Sequence, residues 1–255
     1  RAYNSYRQDI VSSFQGYYAI YILILYALKF VVGFSPGEES MINMKIHIVY
    51  DNTAYSSSLL PDWGFFFFIE GPHIPKILFD TGAKGQILLY NMDTMGVDPR
   101  SIDIVFISHT HFDHTGGLDT FLQINSRAQV YVPKSLTSLR HKNVVSVNNA
   151  QQIADNALST GELGGIEQSL LISKNNESTL ITGCSHPGLG TILKAASKFG
   201  KVSGIVGGLH GFSELEMLND ISWICPTHCT IHKADIANTY PHKYVPGGAG
   251  QVITC

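Results

Sequence analysis

"FISHTHFDHTGGLDTFL", Phe106 to Leu122, sets His109, His111, Asp113 and His114 within six positions. The apolar run "SIDIVFISHTH" leads straight into these residues and reads as a strand, and "TGGLDTFLQIN" after them begins a helix. On an extended segment alternate side chains share a face, so His109 and His111 point to one place. Asp113 and His114 come after the chain has turned, at the head of a helix, and point to a neighbouring place. Neutral imidazole and carboxylate suit zinc, iron, manganese or cobalt. A lone histidine would read as a satisfied core or loop residue, but H-x-H-x-D-H after an apolar strand predicts a metal centre. Gly116 and Gly117 leave room beside it for a metal, a ligand or another stretch of backbone.

Working outward, three later segments also end a strand with a histidine. "LITGCSHPG" carries His186, "IVGGLH" carries His210 and "ICPTHCT" carries His228. Any one alone reads as a hydrogen-bonded loop histidine. With the cluster, they supply the further ligands that a metal site needs.

The remaining pattern is strands first, then strands alternating with helices. "MKIHIVYDN", "WGFFFFIEG" and "KILFDTG" read as strands, "GQILLYNMDTMG" as a helix and "AQVYVPK" as a strand. Residues 135–165 are polar and weakly patterned, and are expected to form a loop with short strands that walls or covers the site. "EQSLLISKNNESTLITGCSHPG" reads as a hairpin turning at Lys-Asn-Asn-Glu. "GLGTILKAASKFG" and "ELEMLNDISW" read as helices, and "KVSGIVGGLHG" and "WICPTHCT" as strands. No repeat or linker divides the folded part.

With 17 basic and 20 acidic side chains, the formal charge of −3 gives no general attraction to nucleic acid or anionic membrane. The four cysteines, Cys184, Cys225, Cys229 and Cys255, are too few and too unevenly spaced for a disulfide framework, which points to a reducing cytoplasm. Cys225 and Cys229 flank His228, but two sulfurs alone do not complete a structural zinc site. Residues 1–40 stand apart from a domain over 41–255. Tyr17 to Phe34 is nearly continuous apolar sequence, long enough for a membrane anchor. The other reading is a non-native extension ahead of a start at Met41 or Met44. Membrane contact is expected only if that segment is native.

His109-Thr110-His111-Phe112-Asp113-His114 resembles the signature of the metallo-β-lactamase superfamily. "ILFDTG" is similar to the family's preceding strand, whose acid, here Asp80, braces the ligand loop. "GCSHPG" is similar to the segment with the third histidine of the first metal. The resemblance runs from Met44 to the C-terminus. It implies an α/β (α+β) fold, a four-layer αββα sandwich with a mono- or binuclear site at one edge of the two sheets. The first metal would take His109, His111 and His186 and keep a position for water, whose pKa zinc lowers to about 7. Asp113 and His114, with His228 or His210, would hold the second. Zinc is the first expectation, with manganese, iron or magnesium as alternatives. Asp113 would also orient the water or carry its proton.

"VYDNTA", "DWGFFFFIE", "EQSLLI", "TGCSHPG", "GGLH" and "PTHCT", in that order, resemble a subgroup that includes synthases joining a pterin methyl diphosphate to a ribosyl aminobenzene phosphate. Two departures stand out. His210 occupies the place of the acid that usually bridges the two metals, and Ile231 stands where the subgroup has Gly. For a small phosphorylated substrate, Trp63 is a candidate to stack on a flat ring. Asn52 and Glu167 are further candidate contacts, and Cys184 is a buried neighbour of the metals. The Phe65–Phe68 run reads as core.

Three functions are carried forward: a metal-dependent hydrolase, a pterin-condensing transferase, and a non-enzymatic metal-binding or sensor protein. An RNA-processing nuclease would show a basic arm. A flavin-linked di-iron reductase would show Glu in place of His111 and a flavin domain.

Overall fold

The computed structural model describes residues 44–174 and 177–255. The N-terminal extension over 1–40 and the two asparagines of the hairpin turn lie outside the described residues. β1 (Lys45–Tyr50), β2 (Phe66–Glu70), β3 (Ile77–Phe79), β4 (Ile104–Phe106), β5 (Gln129–Pro133) and β6 (Val144–Val147) form one sheet. The chain then crosses to a second sheet of β7 (Asn149–Ala154), β8 (Ala157–Gly161), β9 (Leu170–Lys174), β10 (Glu177–Thr182), β11 (Lys201–Gly208) and β12 (Trp223–Thr227). β13 (Val252–Thr254) returns to the first sheet beside β1. The sheet orders are β13-β1-β2-β3-β4-β5-β6 and β12-β11-β10-β9-β8-β7. β3 to β6 run parallel, as do β10 to β12.

The phenylalanine run shows how the layers arise. A strand alternates its side chains between two faces, and here both faces are covered, so no polar residue interrupts it. Phe65, Phe67 and Ile69 turn inward between the sheets, against Phe79, Phe106, Leu170, Ile181 and Val206. Phe66 and Phe68 turn outward, under Leu88 and Met92 of α1 (Gly85–Thr94). After α2 (Phe112–Thr115), Leu118 and Phe121 of α3 (Leu118–Ile124) complete that layer. The outer face of the second sheet packs Leu180 and Ile205 against Leu189 and Ile192 of α4 (Leu189–Ala196) and Ile236 of α5 (Lys233–Thr239). The result is helix, sheet, sheet, helix, as expected. Each fully buried phenylalanine contributes roughly 1.5–3 kcal/mol of transfer free energy.

Two expectations are corrected. The short strands expected in residues 135–165 are present as β6, β7 and β8, but they belong to the two sheets, with β6 and β7 as outer strands, and do not form a lid. Their polarity is that of edge strands with one wetted face; β7 buries only Ile153. "ELEMLNDISW" forms one short 3-10 turn, Leu215–Leu218, because it buries only Leu218 and Ile221 and no apolar stripe holds a longer helix. α5 and β13 have no counterpart among the expected elements. Among the described residues, no helix is long and apolar enough to cross a membrane.

Candidate metal centre

The histidines meet where parallel strands of both sheets end. Asp80 follows β3, His109 follows β4, His186 lies just past β10, His210 past β11, and His228 directly follows β12. The carboxyl ends of parallel strands are the usual place for ligands in such sheets. The backbone is strained there. Among the described residues six non-glycine residues have positive φ, and four of them are Asp80, Ser185, His210 and His228. Such conformations cost about 1–3 kcal/mol each and cluster at functional sites.

One donor atom each from His109, His111 and His186 lies within 4.8 Å of the other two. The same holds for Asp113, His114 and His228. The two sets adjoin, with the His109 and His114 ring centroids 4.1 Å apart. Gly116 and Gly117 give this turn its space: a Cβ on either would stand 2.2 Å from the carbonyl oxygen of Ala83 or Thr81. Of the three alternatives for these glycines, the close neighbour is backbone.

Hydrogen bonds fix which ring nitrogen faces the centre. Ser108 donates its N–H to Asp80 Oδ1 and its hydroxyl to Asp80 Oδ2, both at 2.7 Å. The Ser108 oxygen then accepts from His109 Nδ1 at 2.9 Å, which turns His109 Nε2 inward to within 3.1 Å of His111 Nδ1. His114 donates Nδ1–H to Asp80 Oδ2 at 2.7 Å, and its Nε2 faces inward. His228 Nδ1 donates to Asn52 Oδ1 at 3.0 Å, while the His228 N–H donates to Asp51 Oδ1 at 2.8 Å. Each of these rings turns its Nε2 to the centre, as a metal-ligating histidine does.

Electrostatics point the same way. Burial, reinforced by the neighbouring imidazoles, holds His109 and His114 far below the ordinary histidine pKa, so both are neutral. Burial works to raise the Asp113 carboxyl, but the close approach of the His228 and His114 rings outweighs it and holds the group below the ordinary carboxylate range, so it is ionised. Asp80 is fully buried, which raises its pKa against the pull of the Ser108 donors.

The side chains fit a cation. His186 Nε2 and His228 Nε2 are buried without a hydrogen bond. His228 Nε2 lies 3.2 Å from Asp113 Oδ2. Two lone-pair atoms repel at that separation unless a cation or a proton lies between them.

The other candidates fall in different places. His210 is exposed and does not join the Asp113 set; its ring centroid is 5.1 Å from His186, and its donor groups with Cys184 and Cys229. Of the two alternatives with Asp113 and His114, the geometry therefore brings His228. Glu167 does not line a substrate pocket. It is 1% exposed, and its carboxylate accepts from the N–H groups of Gly183, Cys184, Ser185 and His186 at 2.9–3.0 Å. Burial pushes its pKa up to about 7 against those four donors. Its role is to set the path of the loop that carries His186. Asn52 acts on His228, and also accepts from the Gly64 N–H at 3.3 Å. Trp63 is 53% exposed, with its ring 5.4 Å from His228 at the mouth of the centre. Cys184 Sγ lies 3.3 Å from His114 Nε2. Cys225, by contrast, packs into the core between the sheets.

Ser108 and Asp51 were not among the expected site residues. Both sit beside one that was, in "ISHTH" and "VYDNTA", but nothing local says that a serine relays to a distant aspartate.

The sequence pattern of the metallo-beta-lactamase superfamily matches residues 66–193. The chain is similar to the 7,8-dihydropterin-6-methyl-4-(beta-D-ribofuranosyl)-aminobenzene-5'-phosphate synthase of Methanocaldococcus jannaschii. Identity is 26%, over 76% of this chain and 90% of the relative. Among solved structures it resembles Tm1679, described as a metal-dependent hydrolase of the beta-lactamase superfamily. The TM-score is 0.68 at 22% identity, over 83% of this chain and 99% of that one. It also resembles the metallo-beta-lactamase fold protein YhfI from Bacillus subtilis. Here the TM-score is 0.61 at 12% identity, over 84% of this chain and 100% of that one.

Proposed function

The chain belongs to the metallo-beta-lactamase superfamily, and from that premise we propose that it is a metal-dependent hydrolase of a small phosphorylated molecule, with a binuclear His/Asp site. The observation that carries this reading is the pair of adjoining donor sets, His109/His111/His186 and Asp113/His114/His228. Their imidazoles and single carboxylate favour zinc, with manganese, iron or magnesium as alternatives. When bound, such a cation supplies Lewis acidity to a water and to a phosphoryl oxygen.

The chain's own groups do the rest. Asp113, kept ionised, can take a proton at Oδ2 from a nucleophile beside it. Asp80 and Ser108 hold the rings and their tautomers against rotation. His111 is exposed and faces the approach of a substrate. A cytoplasmic enzyme with four free cysteines and no nucleic-acid partner fits the same reading.

A specific observation favours a second reading, condensation of a pterin diphosphate with an aryl amine. Three large apolar residues are exposed on segments adjoining the ligands: Trp63, Phe112 at 67% and Ile231 at 69%. Such surfaces suit a flat ring, and the M. jannaschii relative is a pterin synthase by name.

Metal content by elemental analysis, with a screen of phosphodiesters, a thioester, a β-lactam and a pterin diphosphate plus aryl amine, tests both. Two ions per chain, with hydrolysis lost in His109→Ala and His186→Ala, is the expected result. Condensation without hydrolysis would select the synthase. No metal and no turnover would overturn both, in favour of a non-enzymatic binding or sensor protein.

A further inference from the structure

Two sulfur atoms lie beside the centre, and neither His/Asp donor set uses them. Cys184 sits past the end of β10 and is buried. Cys229 follows His228 past β12 and is half-buried, and His210 past β11 is exposed. The ends of three neighbouring parallel strands thus bring two thiols and an imidazole together. One donor atom from each lies within 4.8 Å of the other two.

The approach depends on Gly208. A Cβ there would stand 2.8 Å from Cys229 Sγ and 3.2 Å from Cys184 Cα. Cys184 also reaches the other way. Its Sγ is 3.3 Å from His114 Nε2, and with His109 and His114 it makes a further set of donors within 4.8 Å. Two sulfurs and one imidazole nitrogen select thiophilic ions such as zinc, cadmium or copper(I), and reject magnesium and calcium.

We propose that Cys184, Cys229 and His210 form a thiolate position for a thiophilic metal ion, separate from the histidine–aspartate sets, with Cys184 facing both. The ligands there are thiolates, so an ion taken up displaces any proton still on either sulfur. The position is open on the His210 side, so a fourth donor can come from solvent or from a bound molecule. It stands whether or not the neighbouring centre hydrolyses anything, since it uses no residue of those two sets.

The test uses the full-length, reduced, metal-free protein and cadmium ion as the probe. Ultraviolet absorption reads the thiolate-to-cadmium charge-transfer band. Maleimide labelling followed by peptide mapping reads which thiols are protected. The expected result is a band that saturates with cadmium and persists in His109→Ala, together with protection of Cys184 and Cys229. Cys255 is half-buried and outside the set, and should keep its reactivity. Cys229→Ser and Cys184→Ser should each weaken the band and raise the cadmium concentration needed to saturate it. An absent band, or a band unchanged in both serine variants, overturns the proposal. If Cys184→Ser does not fold, the mapping on the unaltered chain decides: Cys184 and Cys229 labelled equally with and without cadmium would also overturn it.

Discussion

On the side of the first sheet the centre is anchored ring by ring. His109 and His114 are buried, and each has its outer nitrogen tied through Ser108 or directly to Asp80. On the side of the second sheet, apart from the His228 ring on Asn52, it is anchored through the main chain. Glu167 grips four consecutive amides, Gly183 to His186, while the His186 ring keeps a buried Nε2 without a hydrogen bond and His210 is exposed. One side fixes tautomer and ring angle in advance. The other fixes only where the loop runs and lets the ring settle on what it meets. Ligands fixed in advance on one side and adaptable ones on the other are an arrangement that suits ions of different size.

That contrast can be broken or sharpened by substitution. Asp80→Ala should have the largest effect, because it strands the Ser108 N–H, the Ser108 hydroxyl and the His114 Nδ1–H in a buried place. Metal affinity should fall about 10–100-fold and stability by about 3 kcal/mol, read by chelator competition and thermal melting. Unchanged affinity would mean that tying the rings is not what organises the first side. Glu167→Ala comes next. It should cost about 2–3 kcal/mol in the metal-free protein, since four amides lose their acceptor. Melting curves that move only in the metal-loaded form would show instead that the loop holds its own path. Asn52→Ala frees the outer nitrogen of His228 and should weaken metal binding roughly tenfold with little change in melting temperature. Trp63→Ala is the smallest. Stability should stay within about 0.5 kcal/mol, metal content should not change, and KM for an aromatic substrate should rise. A rise in KM for every substrate alike would remove the stacking role from that ring.

The H-x-H-x-D-H stretch was legible because it is local: one strand end and one turn carry four groups, and spacing alone shows which of them can meet. The phenylalanine run was legible as core for the same reason, a period of two with both faces apolar. Glu167 was misjudged because its partners are backbone amides 16 to 19 residues away, which no side-chain pattern announces. Ser108 was invisible because its partner Asp80 lies 28 residues back. Residues 135–165 misled because an edge strand, wet on one side, has the composition of a loop. The sequence sets Cys229 with Cys225 on either side of His228, but the strand sends Cys225 into the core and Cys229 toward Cys184. Pairings between strand ends far apart in the chain are the part that a linear reading misses.

The bond from the His228 N–H to Asp51 spans 177 positions. At an elongation rate of about 5–20 residues per second, the two residues leave the ribosome roughly 10–35 s apart. During that interval His109, His111 and His114 already exist in the nascent chain, while the closing member of the second set does not. A partly synthesised chain can therefore hold an ion only with an incomplete grip. The second donor set is therefore complete only once the chain has been made past the end of β12.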